Sequence, residues 1–480
     1  MLNINWLGAI YMLIPIIIIL LLLEKDIKRV KYISLGGSFV LLILSNLLWV
    51  GFDPLLIEYQ YQIEFIKNNF FTFHVGIDGI SLFFIILTIF LLPICLLASW
   101  VSVITHVKEF NILFYITIFL LINVFAVLDL FIFYIVYETI LIPMFLIIGI
   151  WGSRDRKVHA AYQFFLYTLF GSVIMLIALI YIYITVGSLH VYKITIYDYT
   201  LTEGRLLWMA FFASFAVKVP MIPVHIWLPE AHVEAPTAGS VLLAGILLKM
   251  GTYGLLRFSL PMFPEATVYY QPLVFLLSVI SIVYGATTTL RQTDLKKVIA
   301  YSSVVHMNYV TIGIVSDTLY GIEGAIFLML SHGLVSSALF LCVGFLYERY
   351  HTRTILYYGG IVTIMPIFSV LFFVLTLANV SLPGTSSFIG EFLILLGINL
   401  HSSIVLFCAV LGILLGTGFS ILLFNRVVFG IGNYIHVVSD LNKREFFSIA
   451  SCFVLSIIFG LFPNLILDNI HASVLLLLAK

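Results

Sequence analysis

Apolar residues in this chain come in long unbroken runs separated by short polar intervals, not in the one-sided stripes of a soluble helix. About 20 apolar residues suffice to carry a helix across the hydrocarbon core of a bilayer. The pattern predicts fourteen such spans, at roughly 6–23, 32–50, 80–103, 111–128, 130–150, 163–187, 206–228, 237–258, 271–290, 298–316, 322–348, 359–399, 403–426 and 445–465. The longest polar interval, about 51–79, is too short and too aromatic for a soluble domain, so residues 1–480 read as one integral membrane domain. The expected fold class is all-α, a polytopic membrane protein.

Two spans are interrupted. In the seventh, Pro220 and Pro223 each remove one i to i−4 hydrogen bond and crowd the carbonyl four residues back. In the twelfth, Ser381-Leu382-Pro383-Gly384-Thr385 divides 359–380 from 385–399. Backbone freed at membrane depth is tolerated only where it is buried in protein or lines a hydrated cavity. The breaks lie five helices apart, an odd number, so the two broken helices cross in opposite directions. Inverted repeats require this, and matching interruptions in two halves point to a transport site. Helices 4–8 (about 111–258) and 9–13 (about 271–426) are therefore read as two inverted five-helix repeats, each with a broken helix.

Composition narrows the function. With 62% hydrophobic and 10% charged residues the chain cannot be a soluble protein, and a formal net charge of zero without a basic run gives no nucleic-acid partner. Cys95, Cys342, Cys408 and Cys452 are too scattered for a disulfide framework or a metal site and read as small hydrophobes. Of the 23 Lys and Arg residues, sixteen fall in loops after odd-numbered helices. Five lie on the opposite side (Lys67, Lys193, Arg205, Arg257 and Lys480), and Lys218 and Lys249 lie within spans. Positive loops stay on the side of insertion, which puts both termini outside. The first span precedes its positive charges, the reverse of a secretory signal, and no Arg-rich transit segment appears, so a bacterial or organelle-made protein is expected.

Six ionisable residues sit inside the apolar spans: Glu138, Lys218, Lys249, His306, His332 and Glu391. A charge at the bilayer centre costs at least ~2.5–3.5 kcal/mol, and such residues mark ion pathways and proton relays. Glu138 and His306 occupy corresponding helices of the two repeats. Lys218 precedes the first break by two residues, and Glu391 follows Pro383 by eight. A relay needs groups whose protonation responds to modest changes of surroundings; a buried Lys whose acidic partner moves can bind or release a proton. Arg keeps its charge and could not serve.

Several stretches carry a family resemblance: Tyr162–Thr168, Phe215–Pro220, His225–Ser240, Leu330–Leu334 and Ser381–Phe392. The chain resembles the chain 4 family of NADH:ubiquinone oxidoreductase, the antiporter-like membrane-arm subunits of respiratory complex I. Related chains 2 and 5 share the fold but carry Lys on the second broken helix, where Glu391 stands here. The resemblance implies a proton-pumping module without a redox centre of its own. NADH, FMN, iron–sulfur clusters and ubiquinone would reside in partner subunits, and chains 2 and 5 and lipids would be its neighbours. It further implies that Glu138 pairs with Lys218, that Lys249 is the central relay, that His306 and His332 continue the path, and that Glu391 is the exit-side group. A multi-pass place in the mitochondrial inner membrane follows, with a bacterial plasma membrane as the alternative. The other reading from the same charges is an Mrp-type cation/proton antiporter subunit.

Bland readings stand beside these. A polar group in a bundle can simply join helices, at roughly 0.6 kcal/mol, which is the alternative for His306 and His332. His225, Glu230, His232 and Glu234 invite a metal reading, but Pro229 and Pro236 interleave them and a structured, solvent-facing loop is expected. Asp294, Lys296 and Lys297 read as a solvated loop.

Overall fold

The structure, a computed structural model, describes residues 5–67, 71–430 and 439–479; Lys480, counted above as an outer charge, lies outside them. Twelve helices among the described residues are long and apolar enough to cross a membrane, and they correspond to every predicted span except the seventh and the twelfth. Those two are the interrupted ones. Leu201–Lys218 stops two residues before Pro220, and the twelfth is split into Pro366–Asn379 and Ser386–Asn399, each too short to count alone. A helix not foreseen, Asn464–Leu478, ends the chain.

The residues group into two compact units, Met1–Lys218 with Lys249–Tyr270 and Asp468–Lys480, and Val219–Leu248 with Gln271–Leu467. The first unit has an aromatic core. Phe84, Phe125 and Tyr253 stack with centroids 5.1 Å apart along both Phe125 contacts, and the Tyr253 hydroxyl donates to the Phe125 carbonyl at 2.8 Å. Helix Gly79–Ser102 begins at Asp78, whose carboxylate accepts from the Ser81 amide at 2.9 Å while the Ser81 hydroxyl accepts from the Asp78 amide. A Cβ at Gly79 would stand 2.0 Å from the Asn469 carbonyl oxygen, so only glycine lets the last helix dock there. The polar interval before Asp78 forms an antiparallel hairpin, Gln60–Lys67 with Thr72–Ile77. Its register pairs Glu64 with His74, and the Leu128 amide donates to the His74 carbonyl.

The second unit is built round helix Leu319–Tyr350, whose membrane window is wholly buried. Its neighbour Ser386–Asn399 approaches to backbone contact. A Cβ on Gly390 would lie 2.8 Å from the Leu328 backbone, and one on Gly324 would lie 2.8 Å from the Ile394 amide. Between Asn379 and Ser386 the chain turns through Ser381 (φ 62) and Gly384 (φ 97), left-handed backbone that a residue without a Cβ adopts most easily.

Candidate functional site

Each unit holds three of the six titratable groups. In the first, Glu138 lies one residue before the end of helix Leu130–Thr139, which breaks at Ile140 before Leu141–Trp151 continues. Pro143 explains the break, since it cannot donate to the Thr139 carbonyl four residues back. Lys218 is the last residue of its helix and is buried, because Pro220 and Pro223 leave the carbonyls of Ala216 and Val219 without their helical donors. Its Nζ lies 4.8 Å from the Tyr137 ring centroid and 5.6 Å from that of Phe164. Cation–π attraction at such range is worth about 0.5–2 kcal/mol.

Glu138 and Lys218 are close enough to act on each other electrostatically. Yet no hydrogen bond joins the Glu138 carboxylate to Lys218 Nζ. The pairing that the resemblance implies is thus not a hydrogen-bonded contact in this structure. Lys249 is fully buried in a short α segment, Leu248–Gly254, between two π-helical turns, Leu243–Leu247 and Leu255–Ser259. Such turns loosen the i to i−4 ladder and recur at functional sites.

In the second unit the groups meet. His306 Nδ1 lies 3.0 Å from Glu391 Oε1, and the His306 and His332 ring centroids are 5.6 Å apart. All three are at most 7% exposed. Close approach at Gly390 seats Ser386–Asn399 on helix Leu319–Tyr350, a 2.8 Å hydrogen bond between the Ser331 and Ser386 hydroxyls pins its start, and Glu391 reaches His306 on helix Leu295–Val315. The Tyr309 hydroxyl, one turn beyond His306, donates to the Ala409 carbonyl at 2.6 Å.

Several expectations are corrected here. The segment with His225, Glu230, His232 and Glu234 is not a solvent-facing loop: His225, His232 and Glu234 are buried, and Glu230 is half-buried against Lys297 at 2.9 Å. Nor is Lys296 in a solvated loop. It is 2% exposed, and its Nζ donates to the Ala235 carbonyl at 2.8 Å and to Ser240 Oγ at 3.1 Å. Arg353 is likewise buried and donates to the Val233 carbonyl. The helix Trp227–Glu234 ends among buried residues, so its last carbonyls take protein donors, Ser240 at His232 and Arg353 at Val233. Arg257, counted among outer loop charges, lies instead within helix Thr237–Met262 and is 6% exposed. It pairs with Asp78 across 2.6 Å. Sequence reasoning missed this ion pair because its halves lie 179 residues apart and Arg257 falls at the edge of an apolar run.

A family profile described as NADH:quinone oxidoreductase/Mrp antiporter, TM, matches residues 127–416. The chain is 54% identical over 462 residues to NADH-ubiquinone oxidoreductase chain 4 of Marchantia polymorpha, covering 95% of this chain and 93% of that one. It is 52% identical over 470 residues to the protein of the same name from Prototheca wickerhamii, covering 94% and 90%. In structure it is similar to a chain of respiratory complex I from Thermus thermophilus with bound NADH, with TM-score 0.91, 27% identity and 99% of both chains covered. With identity above one half over nine-tenths of both sequences, the chain belongs to the NADH-ubiquinone oxidoreductase chain 4 family.

Proposed function

We propose that Glu138, Lys218, Lys249, His306, His332 and Glu391 are the proton relay of this subunit. As a member of the chain 4 family the chain is a proton-translocating membrane-arm subunit of NADH:ubiquinone oxidoreductase, complex I. It moves protons across the membrane as electrons pass from NADH to ubiquinone in other subunits. The observation that carries the relay is the 3.0 Å contact between His306 and Glu391 beside His332. An imidazole accepts a proton on one nitrogen and gives it up from the other, so a histidine between two titratable groups passes protons without moving far. Glu391, last of the three, hands the proton outward.

In the first unit the proton is held differently. Lys218 sits among rings with Glu138 as its counter-charge, so a change in either charge alters how well the other holds a proton. Lys249 receives and passes the proton between the two sets. The loosened helix around it gives the side chain room to reorient. Two inverted repeats, about 111–258 and 271–426 within a single domain, are part of this reading.

The chain is a multi-pass membrane protein of mitochondrial type, and the mitochondrial inner membrane is its proposed place. Cofactors reside in other subunits: NADH, FMN, iron–sulfur clusters and ubiquinone. Other membrane-arm subunits are its partners, with antiporter-like chains 2 and 5 and lipids as proposed neighbours. The Mrp-type antiporter reading has less support, because relatives matched over nine-tenths of the chain carry the complex I name. Quinone-dependent proton uptake in membrane vesicles tests the relay. Glu391→Ala in an assembled complex should lose most of it, and parental uptake would reduce Glu391 to a polar helix contact.

A further inference from the structure

We infer that the Asp78–Arg257 ion pair is an electrostatic stopper, closing the first unit toward the outer side so that protons held at Lys249 do not leak outward. The inference rests on the relay reading of Lys249. Arg257 lies eight residues beyond Lys249 on one helix, about 12 Å at 1.5 Å per residue, toward the end that the basic-residue distribution places outside. There the protein has a cavity of about 290 Å³ whose wall includes Glu58, Tyr59, Tyr192 and Thr195, with Asp78 and Arg257 among its lining residues. Tyr192 and Ile196 on that wall are 44% and 74% exposed, so the cavity opens to the surface.

On the same helix, between Arg257 and Lys249, lies Tyr253, which packs with Phe84 and Phe125, each at most 1% exposed, and whose ring centroid is 5.9 Å from Arg257 Cζ. Tyr253 sits midway in sequence between Lys249 and Arg257, and its hydroxyl is committed to the Phe125 carbonyl. The cavity thus ends at the ion pair, about two helical turns from Lys249 on the same helix.

Of the charged groups that line the cavity, Glu58, Asp78 and Arg257, the arginine is the one that cannot carry a proton, and it engages the Asp78 carboxylate. Arg keeps its charge under any condition the protein encounters, so it neither accepts a proton nor hands one on. A fixed positive charge also repels an excess proton, as Arg residues do in water-conducting pores. The guanidinium is held in place: Nη1 bonds Asp78 Oδ2 at 2.6 Å, and the Tyr59 ring centroid lies 4.7 Å from Cζ. Asp78 is fixed in turn as the cap of helix Gly79–Ser102. A purely structural tie between these helices would need hydrogen bonds but no net charge on the arginine side.

That difference is the test. Purified complex I carrying Arg257→Gln together with Asp78→Asn keeps a polar, hydratable pair of similar shape without the charge. Reconstituted in liposomes under a potassium–valinomycin potential and without NADH, it should take up protons several-fold faster than the parent. Arg257→Lys, which keeps a charge but can titrate, should leak more than the parent, and parental tightness in it would show that charge alone closes the cavity. An assembled neutral double variant with parental permeability overturns the proposal. If that variant fails to assemble, Asp78→Asn decides alone, because it keeps the positive charge and must stay tight; a leak there overturns the proposal as well. Pumping by Lys249 variants tests the relay and passive permeability tests the stopper, so each can fail without the other.

Discussion

The two units hold titratable groups at membrane depth by opposite means. In the first, Glu138 and Lys218 influence each other without a hydrogen bond, and Lys218 rests among the rings of Tyr137 and Phe164. In the second, Glu391 touches His306 directly and His306 lies against His332. A separated pair is tuned by charge, so its behaviour depends on which members are ionised. A contacting set is tuned by geometry, so its behaviour depends on reach and orientation. Substitutions that alter charge at constant shape should therefore hurt the first unit most, and those that alter length at constant charge should be felt in the second.

The largest effect is expected at Lys249, fully buried and central. Lys249→Ala should lower both quinone reduction and pumping by tenfold or more, at least ~1.4 kcal/mol in the limiting barrier. Lys249→Arg keeps charge but cannot titrate, and it should be nearly as poor. NADH:ubiquinone turnover and the pH gradient in vesicles measure both, and full activity in the Arg variant would show that charge alone suffices. Next comes Glu138→Gln, which leaves Lys218 as a buried cation without the nearby carboxylate and so favours its neutral form. Pumping should fall several-fold in a complex that still assembles. The double change with Lys218→Met should recover stability but not pumping, a coupling readable as a double-mutant cycle. Normal pumping by Glu138→Gln would end the charge-coupling account.

In the second unit Glu391→Asp keeps the carboxylate but draws it back by one methylene from a 3.0 Å contact. Intermediate activity is expected, below the parent and well above Glu391→Ala, with native gels unchanged. Equal activity of the Asp variant and the parent would show that titration matters there and reach does not, which would erase the contrast between the units.

What the sequence disclosed follows the same line. Pro220, Pro223 and Pro383 announce the breaks because proline acts on its own backbone, and apolar run length fixes the spans because hydrocarbon thickness is constant. The six titratable groups stand out because charges are rare at that depth. The contacts among residues remote in sequence were not legible. His306 meets Glu391 across 85 residues, and Arg257 meets Asp78 across 179. The carbonyls of Val233 and Ala235 draw Arg353 and Lys296 out of what composition marks as loops. Nor does any residue pattern reveal that the helix around Lys249 loosens into π turns, since the same residues would propagate an α-helix.

The smallest expected effect lies at Lys297, and its neighbour Lys296 supplies the control. Lys297 bonds Glu230 at 2.9 Å, but the two side chains are 30% and 26% exposed, so water competes for both charges. Such a pair contributes about 0–1 kcal/mol. Lys296 is 2% exposed and donates to the Ala235 carbonyl and the Ser240 hydroxyl, and removing it takes a charge-assisted donor from a buried carbonyl, at about 1–3 kcal/mol. Lys297→Met should leave pumping and the melting temperature of the complex within error of the parent. Lys296→Met should lower the melting temperature by several degrees, because the Ala235 carbonyl just past Trp227–Glu234 loses its charged donor. Both variants lose one positive charge, so only contact distinguishes them. Equal losses in the two would mean that net charge, and not a satisfied backbone, holds this part of the second unit together.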